Sequence, residues 1–179
     1  MNLERGVKLA LAISEVEDQR FEEALRSLIA PAYRLAFGML HDRNDAEDAV
    51  QDASFKAWRK RANLRAGSDL KPWFLAIVAN QCRSVRRGRW WSVTKLWDPT
   101  LRVEFPDDSV VEGAAIRAAL KCLDHRHRLA LVLYYYLDLT ADQVAEITGD
   151  SPAAVKSRIR RGVRKLGPIL NLGGDHVNG

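Results

Sequence analysis

The sequence predicts an all-α fold of two small helical domains joined by an extended linker, on three observations. Apolar residues recur at helical spacing along nearly the whole chain, alternating strand patterns are lacking, and one aperiodic stretch with two prolines, Trp91 to Ser109, divides the periodic halves. At 179 residues and 47% hydrophobic content, the chain has room for one domain or two small ones with real cores. No apolar run approaches the ~20 residues that a membrane span needs, and Val7 to Ile13 is too short and too closely flanked by charge to be a signal peptide. A cytoplasmic location without membrane insertion is therefore expected.

Residues 1–20 form an N-terminal extension, whose apolar stretch gives way to Glu15, Glu17 and Asp18; these either extend the first helix or stay mobile. The first domain, 21–90, carries three or four helical segments. Within it Asp42 to Asp52 is strongly acidic, with Asp45, Asp48 and Asp52 at i, i+3 and i+7 on one helix face. Duplex DNA would repel that face. From Lys71 to Lys95 the charge is entirely basic: a helix started by Pro72 runs through Trp73, Phe74, Leu75, Ile77 and Val78 and ends in Arg83, Arg86 and Arg87. One domain thus presents an acidic and a basic surface, which suits a chain that grips DNA and also docks on a protein. The arginine end can follow phosphates. Trp73 and Phe74 serve either as core or as platforms for a base that has left the duplex, where stacking contributes about 1–3 kcal/mol, comparable with the cost of unstacking. The polar, glycine-containing loop Asn63 to Leu70 would wall such a pocket.

The linker, 91–109, has three aromatics and is less polar than a free tether, so it lies along a partner or folds back onto a domain. The second domain, 110–172, holds three or four helices, and a tail, 173–179, is expected to be disordered. At the start of the helix before the last two, His125 and His127 read as exposed polar residues. Tyr134 to Tyr136 point to three sides of a helix, part core and part surface.

Leu139 to Leu166 reads as a helix-turn-helix. Thr140 is a plausible N-cap, and Val144, Ala145 and Ile147 pack inward. Gly149 supplies the left-handed backbone of a tight turn, Asp150 or Ser151 caps the next helix, and Pro152 suits its first position. From there Val155, Ile159, Val163 and Leu166 form a buried stripe, leaving Lys156, Ser157, Arg158, Arg160, Arg161 and Arg164 on the other faces. This is the pattern of a helix whose N-terminal residues enter the major groove. Ala153 and Ala154 permit close approach without hydrogen-bonding a base, so base reading falls to Lys156, Ser157, Arg160 and Arg161. The net charge of +5 agrees with a polyanionic partner.

Taken in order, these features resemble the extracytoplasmic-function sigma factors, the small two-domain specificity subunits of bacterial RNA polymerase. The match covers roughly Phe21 to Leu170. Asp45 to Trp58 reads DAEDAVQDASFKAW against the family's DAEDxVQExFxxAW, and Trp73 to Arg87 reads WFLAIVANQCRSVRR, similar to WLxxIAxNxxxDxxR. Ser84 stands where the family commonly has Asp, so no carboxylate orients or caps there. Leu139 to Leu166 follows LSxxEIAxxLGxSxGTVKSRLxRAxxxL, with Ala153 and Ala154 in place of the usual Gly-Thr, a change expected to alter promoter preference.

The resemblance implies roles for these residues. Asp45, Glu47, Asp48, Gln51 and Asp52 would dock on the clamp helices of core RNA polymerase. Asn63, Arg65 and Ser68 of the loop, with Lys71, Trp73, Phe74, Asn80, Arg83, Arg86 and Arg87, would recognise and open the -10 element of promoter DNA. Ser151, Ala153, Ala154, Lys156, Ser157, Arg158, Arg160, Arg161 and Arg164 would read the -35 element. The linker would thread toward the polymerase's active-site and RNA-exit channels, and an anti-sigma factor is an expected partner.

Two other classes compete. A one-component regulator with an effector-binding N-terminal half would use the same helix-turn-helix, but a receiver domain needs alternating strands and helices and a ligand pocket usually needs a larger domain. An enzyme acting on nucleic acid would need a phosphate loop, nucleophile motif or metal cluster; His41, His125, His127 and His176 form no ligand set, so neither metal nor cofactor is expected. Cys82 and Cys122 have no ligand spacing and are expected to be buried thiols.

Overall fold

A computed structural model of the chain describes residues 16–64, 67–93 and 110–168. Among them every regular element is helical: α1 (16–27), α2 (Ile29–Leu40), α3 (Arg43–Lys60) ending in a 3-10 turn (Arg61–Asn63), and α4 (Leu70–Val93) make the first half. The second half is α5 (Val110–Lys121), α6 (His125–Leu131) continuing into a π-helical turn (Val132–Tyr136), α7 (Ala141–Thr148) and α8 (Pro152–Leu166). Glu17 and Asp18 belong to α1, and α4 runs past the expected boundary at residue 90 to Val93. Residues 94–109 of the expected linker, and the tail, lie outside the described residues.

In the first half α3 buries a face made largely of alanine, Ala46, Ala49, Ala53 and Ala57, with Val50. So small a face lets α2 and α4 approach closely, and they supply the bulk: Leu35 and Met39 from α2, Phe74, Leu75, Val78 and Cys82 from α4. Arg61 ties α1 to the end of α3. Its guanidinium binds both oxygens of Asp18, at 2.7 and 3.2 Å, and lies over the Trp58 ring at 4.4 Å. The α2–α3 corner is sharp: His41 takes a left-handed conformation (φ 57°), and Asp42 caps α3 by accepting from the Asp45 N–H at 2.9 Å.

In the second half Asp124 caps α6, accepting from the His127 N–H at 3.1 Å and from its ring Nδ1 at 2.6 Å, and also takes Lys165 of α8 at 3.2 Å. Val132 and Leu133 fill the core at the π turn while Tyr134, Tyr135 and Tyr136 all face solvent, so none of the three is core. The stripe of α8 also differs from expectation. Val155, Ile159 and Leu166 are buried, but Gly162 takes the place of Val163, which is 38% exposed. A Cβ on Gly162 would sit 3.0 Å from the Leu131 side chain, so α6 reaches α8 where α8 has no side chain, and Val163 is turned outward. Cys122 is exposed, contrary to expectation, while Cys82 is buried and its thiol is pushed up to about 12 by burial.

The two halves touch. Their buried apolar residues form one cluster, α2 packs on the π turn, and α4 packs on α7. Gly38 makes this possible, since a Cβ there would lie 2.8 Å from Val132 Cγ1.

Candidate protein and nucleic-acid interfaces

The helix-turn-helix is held by local chemistry at both ends of its turn. Thr140 Oγ1 accepts from the Gln143 N–H at 3.3 Å while Gln143 Oε1 accepts from the Thr140 N–H at 2.9 Å, closing a reciprocal cap on α7. Gly149 ends the helix at φ 71°, its N–H bonded to Ala145 O at 2.8 Å. Ser151, rather than Asp150, caps α8, accepting from the Ala154 N–H at 3.2 Å. Asp150 has another use. Its carboxylate clasps the Arg158 guanidinium with two bonds, one to Nη1 and one to Nη2 at 3.1 Å. That hydrogen bond holds Asp150 below the usual carboxylate range and raises Arg158. Arg158, expected on the DNA face, is therefore half-buried and fixes α8 to the turn. Ser157 is also half-buried; Ser151, Ala153, Ala154, Lys156, Arg160, Arg161 and Arg164 are exposed, and these four cations make no ion pair among the described residues.

The acidic face of α3 carries Glu47, Asp48 and Gln51 in solvent, with Asp45 half-buried beside the cap. Asp52 is exposed but tied inward, accepting from Gln81 Nε2 at 2.6 Å, while Lys56 Nζ donates to Gln81 Oε1. Beside the acidic residues runs an apolar groove of about 680 Å³ between α1, α2 and α3, floored by Val50, Tyr33 and Trp58 and walled by Ile29 and Phe55. Phe55 is 63% exposed. Sequence reasoning missed it, although it follows Gln51 by one helical turn and Asp48 by two, on the same face.

On α4 the two aromatics part ways. Phe74 is fully buried in the core and offers no face to a base, which removes it from the expected DNA set. Trp73 is half-buried with its ring centroid 6.5 Å from Phe21, which in turn lies 6.0 Å from Trp58. Asn80, Arg83 and Arg87, at i, i+3 and i+7, are exposed along one face; Lys71 and Arg86 are half-buried. In the preceding loop Asn63 and Ser68 are exposed and Gly67 has φ 81°, while Arg65 lies outside the described residues. Ser84, in the position of the family's Asp, donates to Asn80 O at 3.1 Å along its own helix.

A helix with an acidic face, an arginine-edged helix and a capped helix-turn-helix thus occur in one chain. The family model for Sigma-70 region 2 matches residues 24–92 and that for Sigma-70, region 4 matches residues 113–166. The chain is an extracytoplasmic-function sigma factor. It is 27% identical over 145 residues to the RNA polymerase sigma factor SigV of Bacillus subtilis, covering 75% of this chain and 81% of that one. To the ECF RNA polymerase sigma factor EcfG of Rhodopseudomonas palustris it is 28% identical over 142 residues, 78% of each. Its fold matches that of the sigma factor RpoE from Bartonella quintana, solved in complex with the anti-sigma factor NepR, with a TM-score of 0.73 at 24% identity over 87% of this chain and 99% of that one. A sigma factor binds core RNA polymerase and promoter DNA and directs promoter-specific initiation; it is not an enzyme. The effector-domain alternative falls, because the half that would sense a ligand is sigma region 2.

Proposed function

We propose that three surfaces of this sigma factor divide the work of initiation. The exposed acids of α3, Glu47 and Asp48, with Gln51, meet the clamp helices of the polymerase, and the apolar groove beside them supports the contact. Asn80, Arg83, Arg86 and Arg87 of α4, with Trp73 at its start and Asn63, Arg65, Ser68 and Lys71 before it, engage and open the -10 element. The exposed face of α8, led by Ala153, Ala154, Lys156, Arg160, Arg161 and Arg164 with Ser157, reads the -35 element, while Arg158 orients that helix from behind. Asp45 and Asp52 shape the docking helix through its cap and through Gln81. The observation that carries this division is the sorting of charge: the acids of α3 gather in its first ten residues, Arg43 to Asp52, and Lys156, Arg160, Arg161 and Arg164 on the exposed face of α8 make no ion pair among the described residues. An anti-sigma factor is the partner that would hold the chain inactive, and the chain acts in the cytoplasm with the polymerase. Among the described residues no helix is long and apolar enough to cross a membrane.

Two double variants test the division. Glu47→Lys with Asp48→Lys should lose co-elution with core polymerase. Arg160→Ala with Arg161→Ala should still co-elute but lose promoter-specific starts on genomic template. If both pairs spare core binding and reduce only promoter use, the docking assignment is wrong.

A further inference from the structure

We propose that Ser84 sets how this chain engages the -10 element: it leaves the promoter-facing edge of α4 without a carboxylate, and so shifts the contact toward backbone phosphates and away from base identity. The inference deepens the assignment of α4 to the -10 element made above and rests on it.

None of the 24 residues of α4 carries a carboxylate. Asn80, Arg83, Ser84 and Arg87, at i, i+3, i+4 and i+7, are exposed and form one stripe along the helix. Ser84 sits in the middle of it, one turn after Asn80 and one turn before Arg87, where an acid would pair with Arg87 at i, i+3. The family pattern has Asp at this position. Here the side chain is a hydroxyl whose proton goes to Asn80 O at 3.1 Å, within its own helix. Arg83, Arg86 and Arg87 accordingly make no ion pair among the described residues.

Two acids hydrogen-bond to α4 among the described residues, and neither offsets the stripe. Asp69 accepts from the Lys71 N–H at 2.9 Å at the start of the helix, about 20 Å from Ser84 at roughly 1.5 Å per residue. Asp52 of α3 accepts from Gln81 Nε2 at 2.6 Å, but the same amide takes the Lys56 ammonium on its Oε1, so an anion and a cation sit together at the α3–α4 seam. Gln81 is buried, and these two partners fix which way its amide faces.

A carboxylate at position 84 would act twice on a DNA strand lying along the stripe. It would repel the phosphates that Arg83 and Arg87 attract, and it would accept from the exocyclic amine of a cytosine, adding a base contact. The serine brings no charge, and its proton is already committed to the helix. Cations that follow a backbone bind strongly at low salt and carry no sequence information. The residue present therefore favours capture of the strand over discrimination among strands.

Ser84→Asp and Ser84→Asn differ from each other in charge and not in shape, so the pair isolates the effect. Each full-length variant is assembled with core polymerase and titrated with a fluorescein-labelled non-template strand carrying the -10 element of a promoter mapped by its start sites, from about 50 to 200 mM KCl. At the low-salt end Ser84→Asp should bind at least about fivefold more weakly than Ser84→Asn, and its salt dependence should be flatter by about 0.7 log units per log unit of salt, the share of one phosphate contact on a single strand. When single bases of the element are replaced, the loss of affinity should be larger for Ser84→Asp. The side chain is exposed, and thermal unfolding of the free variants checks that both keep the fold. Equal slopes for the two variants, or base penalties no larger with Asp than with Asn, would overturn the role of Ser84. The α4 assignment fails separately if Arg83→Ala with Arg87→Ala leaves the affinity for the strand and its salt dependence intact.

Discussion

At the scale of single residues, Arg158 teaches the most about what a helical wheel conceals. By spacing it belongs with Lys156, Arg160 and Arg161 on a DNA-facing surface, and its partner, Asp150, sits eight residues earlier across a turn, where no periodicity points. A planar guanidinium gripped at both nitrogens by a part-buried carboxylate is directional in a way that an ammonium cannot copy. We expect a double-mutant cycle of Asp150→Asn and Arg158→Ala, read by urea unfolding, to give a coupling of about 0.5–3 kcal/mol, with Arg158→Lys recovering little of it. The same residue separates orientation from contact. Removing a phosphate contact flattens the salt dependence of DNA affinity by about 0.9 log units per log unit of salt. Arg160→Ala should therefore flatten the slope, whereas Arg158→Ala should weaken binding at an unchanged slope. A flattened slope for Arg158→Ala would return that residue to the DNA face.

Among the elements, the helix-turn-helix was legible almost residue by residue because its determinants are local. Thr140, Gly149, Ser151 and Pro152 act on backbone within four positions of themselves, and sequence carries that information directly. Gly149 has open space around it, so the cost of replacing it is purely conformational. Gly149→Ala should destabilise the chain by about 1–2 kcal/mol at φ 71°, while Gly149→Asn, which tolerates that backbone, should recover much of the loss in thermal unfolding. Equal losses for Ala and Asn would mean that something other than backbone strain operates at this turn. What failed at this scale was whatever depends on a second helix. The choice between Val163 and Gly162 for the buried stripe is made by Leu131 of α6, and the choice between Trp73 and Phe74 as the outward aromatic is made by the packing of α4 against α2 and α3. The groove beside Glu47 was missed for the same reason, since Ile29 and Phe55 line one groove only when α2 and α3 are side by side.

For the whole molecule, two helical regions and their charge sorting could be read from the chain, but the seam between them could not. His125 and His127 read as exposed polar residues at the start of a helix, and His41 as one of four histidines that form no ligand set; in the structure His41 is buried with Arg128 beside α2, and His125 and His127 are half-buried. Their burial makes stability depend on pH. Burial first, and then the surrounding arginines and lysine, lower His41 to about 3, and burial with Arg86 and Arg83 lowers His125 to about 4, the latter against an opposing pull from Asp124. Both values lie below the ordinary 6.5, so below that pH the unfolded chain binds protons that the closed chain refuses. The stability contributed by neutral histidine is complete above about pH 6.5 and is lost as pH falls toward 4, with a slope limited to about 1.4 kcal/mol per pH unit for each group. Denaturant midpoints between pH 7.5 and 4.5 should accordingly fall for the natural chain, and fall less steeply for His41→Asn, since asparagine tolerates the left-handed backbone of residue 41 and does not titrate. An unchanged acid slope in that variant would show that His41 already reaches solvent, and with it that the corner between α2 and α6 stands open in solution.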